Sequence, residues 1–459
     1  MIGNFVTQHE PEIIASFQRL LAIESVKSHP VPGGPFGAGP AEALSYMLQL
    51  AESRHLATKN VNGYAGHVEY GTGDEYIAVL AHLDVVPAGE GWTYPPFGGV
   101  IDQGRIYGRG AIDDKGPAMS ALWALFALQE AGVLPRRKIR LIFGLDEESD
   151  WQCVEHYFRY ESKPIGGFTP DAQFPLIYAE KGMATLCIEV PAEADSLAAQ
   201  IQMFSGGTRY NMVPEVARAT VDCHSETAAR ELVIKFRKVA KDLQVSLHSE
   251  VRSCFVDLTV EGRSAHASRP EVGINAIVQL AQLLGTATVS NCSMWRSVGS
   301  WDYFGRALGI DHDDGETGPL TMNVGTGELR DGVYRFHLNI RYPADQSIDE
   351  LLKSMSNYLP DRWRITLVEH MDPLRVDPNS TLVQTLMEVY KQFFKEDISP
   401  LTTGGVTYAR AIPNAVAFGA RFPEKPSLAH QADEYWEIDD FLRSIEIYAE
   451  AMTRLANAL

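Results

Sequence analysis

Tyr76-Ile77-Ala78-Val79-Leu80-Ala81-His82-Leu83-Asp84 is an apolar run that ends in a His and an Asp two positions apart. Short apolar runs of this kind predict buried strands, here over Tyr76 to Leu83. Upstream, residues 10 to 22 and 40 to 55 show helical spacing. Downstream, a helical segment from Pro117 to Ala131 leads into a second apolar run, Lys138 to Leu145. This is βαβ patterning, and it predicts an α/β fold with a mostly parallel twisted sheet and flanking helices. Pro117 as first helical residue and Gly132 as terminator bound a helix over Ala118 to Ala131. Asp84, Asp113, Glu147 and Glu148 all fall just after apolar strands or in the loop before a helix, where open α/β sheets hold their ligands.

A chain of 459 residues with a 45% hydrophobic share exceeds the size at which one core stops growing, so two or more domains are expected. After Glu180-Lys181-Gly182 the pattern changes. Alternating segments (Ala184 to Val190, Ala217 to Cys223, Phe255 to Val260) are separated by polar helices near 225 to 243 and 271 to 286, which predicts a separate α+β domain. A second boundary near Asp372-Pro373 precedes a helix (Ser380 to Phe394), a strand (Ala415 to Gly419) and a C-terminal helix (Asp439 to Ala456). These elements are expected to rejoin the first domain. Residues 1–181 and 376–459 then form one metal-binding domain, interrupted by an inserted α+β lid over 182–375, large enough for two lobes. The net charge of -19 argues against nucleic acid or an anionic membrane as partner. Met1 to Phe5 has neither a basic n-region nor an apolar h-region, and no uncharged apolar run approaches the ~18 residues of a span. Five scattered cysteines suit reduced thiols. Together these predict a cytoplasmic protein.

The His82-Leu83-Asp84 end has company. Gly108-Arg109-Gly110-Ala111-Ile112-Asp113-Asp114-Lys115-Gly116, Leu145-Asp146-Glu147-Glu148-Ser149, Thr169-Pro170-Asp171-Ala172 and Leu428-Ala429-His430-Gln431 add a second imidazole and more carboxylates at similar places. This is the donor set of a two-metal hydrolytic centre. Two divalent ions ~3.5 to 4 Å apart need an anion between them, and Asp113 and Asp114 are the candidates. His82, His430, Glu148 and Asp171 fill one His and one carboxylate place on each ion. In an extended segment His82 and Asp84 point to the same side, so the Asp84 carboxylate is expected to accept the imidazole's free N–H. The adjacent Glu147 and Glu148 diverge, so one can bind metal while the other serves as general base. His312-Asp313-Asp314 repeats the spacing without an apolar strand before it and is expected to be a solvated loop. His224 is expected at a packed strand end, and Gly108-Arg109-Gly110 lacks the third glycine of a dinucleotide loop.

These segments, together with RYNMVP (209 to 214), EGRSAHASRPEVGINA (261 to 276), LNIRYP (338 to 343) and GGVTYAR (404 to 410), resemble the co-catalytic di-zinc metallopeptidases of the aminoacylase and carnosinase superfamily. The bacterial dipeptidase V (Xaa-His dipeptidase, carnosinase-like) branch is the nearest likeness. The resemblance implies His82 and Asp171 on one metal, Glu148 and His430 on the other, Asp113 between them followed by a cis peptide, and Glu147 as general base. It further implies that His266 stabilises the oxyanion, and that Asn211, Arg341, Gly404, Gly405 and Thr407 bind the substrate's backbone and C-terminal carboxylate. Val406 departs from the family's commoner triple glycine. The implied cofactors are two divalent ions, zinc first, with manganese or cobalt also suited to the donors. The implied activity is hydrolysis of small unblocked dipeptides by a metal-activated water. N-acyl amino acid amidohydrolase and carboxypeptidase are the enzyme alternatives, and a catalytically silent ligand-binding protein is the alternative of another class. Smaller-lid relatives dimerise; the long insertion favours a monomer.

Overall fold

Every residue of the Tyr76–His82 strand is buried, which is why that run shows no polar alternation. It sits in the sheet of the first of two units, composed of Met1–Ala179, Arg375–Thr402 and Val406–Leu459, in a computed structural model that describes residues 2–193 and 198–459. The strands run in the order Ala57–Val61, Ala65–Tyr70, Lys138–Gly144, Tyr76–His82, Gly166–Thr169, Ala415–Ala417. Tyr76–His82 pairs parallel with Lys138–Gly144 and Gly166–Thr169, and Ala415–Ala417 pairs parallel with Gly166–Thr169. The parallel pairing expected is therefore the central one. Towards the Ala57–Val61 edge the pairing is antiparallel: a short turn joins Ala57–Val61 to Ala65–Tyr70, as a hairpin allows, and Ala65–Tyr70 also runs antiparallel to Lys138–Gly144.

The crossover between the first two parallel strands is the Lys115–Glu130 helix. It is buried from Lys115 through Leu128 and packs between the Ile2–Leu21 and Ile438–Ala458 helices. It starts two residues before Pro117, the first helical residue expected. Pro117 lies inside the first turn and not at its first position, which costs nothing because the first N–H groups of a helix have no intrahelical acceptor. Gly132, at φ 66°, closes the other end: its N–H bonds the Gln129 carbonyl and that of Val133 bonds Leu128. The C-terminal return completes this unit, with Ala415 in register with Gly167.

The second unit comprises Glu180–Leu374 and Thr403–Gly405. Its sheet has eight strands in the order Ser246–Arg252, Phe255–Glu261, Val216–Asp222, Gln200–Gly206, Thr321–Arg330, Val333–Tyr342, Gly182–Pro191, Arg364–Met371. Adjacent pairs are antiparallel, and among the described residues the two halves meet through Ser205↔Glu328 and Gly206↔Gly327. Val216–Asp222 and Phe255–Glu261 alternate between buried and accessible positions, as a sheet with one covered face requires. Helices Glu226–Asp242 and Ala276–Leu284 contribute to the apolar core. The second of these starts later than the sequence pattern suggests, because Asn275 caps it by accepting the Ile277 and Val278 N–H groups. Among the described residues no helix is long and apolar enough to cross a membrane. All five cysteines are free thiols.

Candidate metal centre

His82 pairs with Gly144 at the ends of neighbouring parallel strands, so the chain releases His82-Leu83-Asp84 and Asp146-Glu147-Glu148 side by side. Asp84, 1% exposed, links them: its Oδ1 accepts the Glu147 N–H at 3.1 Å and its Oδ2 the Glu148 N–H at 3.0 Å. This corrects the expected bond from its carboxylate to the His82 ring. Nδ1 of His82 lies 2.9 Å from the Asp84 main-chain carbonyl and 3.5 Å from the carboxylate, because both carboxylate oxygens are turned to the two amides. Asp84 thus shapes the turn that carries the paired glutamates.

The turn from Gly108 to Gly116 presents Asp113. Gly110 has φ 87°, a conformation that favours glycine, and a Cβ on Gly116 would lie 2.1 Å from the Ala111 carbonyl oxygen. The Asp113–Asp114 peptide is cis. Asp113 Oδ1 lies 3.1 Å from Nε2 of His82, and its Oδ2 lies 3.1 Å from Nε2 of His430. Asp114 faces elsewhere: it is fully buried and its Oδ2 accepts the His82 main-chain N–H at 3.1 Å. Around Asp113, Glu148 Oε1 is 2.9 Å from Nε2 of His430 and Asp171 Oδ2 is 3.8 Å from Nε2 of His82. His82 with Glu147 and Asp171, and His82 with Asp113 and Glu148, each bring ligand atoms within 4.8 Å of one another. Four donors around one ion at ~2.0 to 2.1 Å sit about 3.3 Å apart in a tetrahedron. The contacts of 2.9 to 3.8 Å fit that spacing, and the nitrogen and oxygen donors fit a zinc-like divalent ion.

The electrostatics also call for cations. Burial opposes protonation of His82, yet the nearby Asp113 and Asp84 carboxylates raise its proton affinity well above the ordinary value. Bonds to Asp113 and Glu148 lift His430 to about 11. Burial opposes ionisation of Asp113, but both imidazoles hold it well below the carboxylate range. Burial pushes Asp171 up strongly, reinforced by the Asp113 charge, and it raises Glu148 in the same way. Glu147 is also raised well above its usual value by burial, which the His82 charge opposes and Asp171, Glu148 and Asp84 reinforce. The carboxylates outnumber the imidazoles, so without protons only added positive charge balances the cluster.

The other candidates lie apart in the chain. Thr407 belongs to the first unit and caps a short turn by accepting the Ala409 N–H at 3.3 Å. Asn211, His266, Arg341, Gly404 and Gly405 belong to the second. Within it the Asn211 carbonyl accepts the Ala267 N–H at 2.8 Å, so the two loops are joined, and Nδ1 of the exposed His266 is 2.7 Å from Ser268 Oγ. Arg341, 6% exposed, sits in the sheet opposite Met183 and Thr321. Gly405 donates its N–H to Thr403 Oγ1 at 3.0 Å. His312 pairs with Asp345 at 2.8 Å, and Asp314 accepts the N–H groups of Glu316, Thr317 and Gly318, a loop folded on its own carboxylate. His224 is exposed at φ 64°, not packed as expected, since the chain turns there. The sequence reading missed Arg109 and Glu434, a buried ion pair at 2.6 Å, and Lys27, bonded to the buried Asp146 at 2.6 Å. The available signal was a charged residue inside two of the ligand-bearing motifs, Arg109 and Asp146, which burial obliges to find a partner; the partners Glu434 and Lys27 lie outside those motifs.

Residues 78–454 match the profile of "Peptidase family M20/M25/M40". A Bacillus subtilis (strain 168) protein named "Putative dipeptidase YtjP" is 38% identical over 464 residues, covering 98% of each chain. A Staphylococcus epidermidis "Putative dipeptidase" is 33% identical, again over 98% of each. Among solved structures, human carnosine dipeptidase 1 superposes with a TM-score of 0.58 at 15% identity over 99% of both chains. The dipeptidase Dug1p of Saccharomyces cerevisiae gives 0.56 at 14%, over 99% of this chain and 98% of that one. At such identities the likeness concerns the fold.

Proposed function

Since the chain belongs to peptidase family M20/M25/M40, we propose that this metallopeptidase is a dipeptidase V-like enzyme that hydrolyses small unblocked dipeptides at a two-metal centre. One observation carries the reading: the single Asp113 carboxylate faces Nε2 of both His82 and His430 at 3.1 Å each. His82 and Asp171 would hold one ion, His430 and Glu148 the other, and Asp113 both, with zinc the ion the donors suit first and manganese or cobalt alternatives. Bound there, the ions would polarise the scissile carbonyl and lower the pKa of a water towards ~7.

Glu147 takes the water's proton and returns it to the leaving amine; the burial that raises its proton affinity suits a group that must accept a proton near neutrality. Asp84 keeps Glu147 and Glu148 on their respective tasks through their main-chain amides. On the resemblance, His266 is assigned the oxyanion, a contribution of ~3 kcal/mol. Asn211, Arg341, Gly404, Gly405 and Thr407 are assigned the substrate's backbone and carboxylate. Five free thiols support a cytoplasmic location. The length of the insertion favours a monomer over a homodimer, which a sizing measurement tests.

The activity is tested by a metal-replete assay across dipeptides, tripeptides and N-acyl amino acids. Cleavage of free dipeptides is expected; cleavage of N-acetyl or N-succinyl amino acids alone refutes the dipeptidase reading in favour of an amidohydrolase. Glu147→Ala is expected to keep both metals and lose ~10²- to 10⁴-fold in kcat; unchanged turnover would remove Glu147 from the mechanism.

A further inference from the structure

The loop that carries His430 is irregular. His430 and Asp433 both have positive φ, 64° and 56°, and His430 is exposed, so neither regular structure nor burial aims its imidazole. A brace lies four residues on. Glu434 is fully buried, and its Oε2 meets Nη1 of Arg109, 2% exposed, at 2.6 Å. Its Oε1 accepts the N–H groups of Ile112 at 3.0 Å and Asp113 at 3.3 Å. The guanidinium also donates to the carbonyls of Gln431 and Ala88, both at 3.2 Å, and the Glu434 carbonyl accepts the Gly108 N–H at 2.9 Å. One buried ion pair therefore ties together the segment after Asp84, the turn of Asp113 and the loop of His430.

We propose that Glu434, oriented by Arg109, is the positioning residue that sets the His430 imidazole against the Asp113 carboxylate and thereby governs the affinity of the second cation. The inference rests on the two-metal reading and adds the group that builds the more exposed half of that site. The other half has separate support: His82 ends a paired strand and its main-chain N–H is held by Asp114. Because Glu434 also holds the main-chain N–H of Asp113, which both ions share, its loss is expected to weaken the second ion far more than the first.

Removing one partner of a buried pair strands the other's charge, so the test uses Glu434→Gln, which keeps the volume. Its single amide oxygen can meet the two N–H groups or the guanidinium but not both, and its NH₂ then faces a donor. Zn²⁺ alone is titrated into metal-free protein against a competing chelator, with circular dichroism recording the fold. Wild type is expected to bind two ions. Folded E434Q is expected to bind the first within a few-fold of wild type and the second 10- to 100-fold more weakly, the range for groups that orient metal ligands. A wild type that fails to take two ions overturns the two-metal reading itself. A wild type that takes two, with folded E434Q matching it at both or weakened equally at both, overturns the role of Glu434 alone. Should E434Q not fold, Arg109→Lys keeps the charge and drops the contacts to Gln431 and Ala88. The same selective loss is expected there, and wild-type binding of both ions overturns the proposal.

Discussion

Replacing Asp84 by Asn distinguishes two ways in which this residue could act. In the structure its two oxygens separately accept the Glu147 and Glu148 amides at 3.1 and 3.0 Å, while the His82 ring is nearer the main-chain carbonyl. A hydrogen bond to a charged group contributes ~1.5 to 3 kcal/mol, and a neutral one ~1. Asn keeps one oxygen, loses the charge and turns an NH₂ towards the second amide. The turn carrying both glutamates is then destabilised by about 2 to 4 kcal/mol, or about 30- to 1,000-fold in the population of its working geometry. The assay is steady-state hydrolysis of a dipeptide at saturating metal, with metal content measured on the same sample. The expected result is a fall in kcat of that order that excess metal does not repair, because Glu147 is displaced. Wild-type kcat with both ions bound would refute the reasoning. A loss fully reversed by added metal would instead return Asp84 to the imidazole of His82.

His82 is fully buried and His430 is exposed, so a chelator is expected to strip the two ions in separate phases, with His430→Ala abolishing the faster one; a single phase in wild type would contradict this. His67, 3% exposed, is held down to about 4 by burial and by the Arg140 charge. A histidine whose folded pKa is lowered supplies stability above its unfolded pKa of ~6.5 that is lost as pH falls towards 4, at most about 3 kcal/mol. Urea unfolding of His67→Gln is expected to lack that part of the pH dependence, and an unchanged pH profile would contradict it. Gly116→Ala is expected to melt well below wild type with weakened metal binding, since its Cβ would meet the Ala111 carbonyl oxygen at 2.1 Å; an unaltered melt with intact metal content would contradict it.

The sequence by itself determined the elements with strong periodicity and the residues with obligatory chemistry. Tyr76–His82 and Lys138–Gly144 were legible as strands because apolar runs of seven residues are too short for a buried helix. His82, Asp113, Glu148, Asp171 and His430 stood out because a cluster of such donors at strand and loop ends is rare without a metal. Tertiary structure decided which hydrogen bond each polar group makes. The Asp84 carboxylate went to two amides 63 and 64 residues away, and Arg109 found Glu434 across 325 residues. Periodicity is a local property that burial imprints on neighbours in sequence. The choice among competing partners depends on which segments the folded sheet brings to one edge, and no local pattern records it.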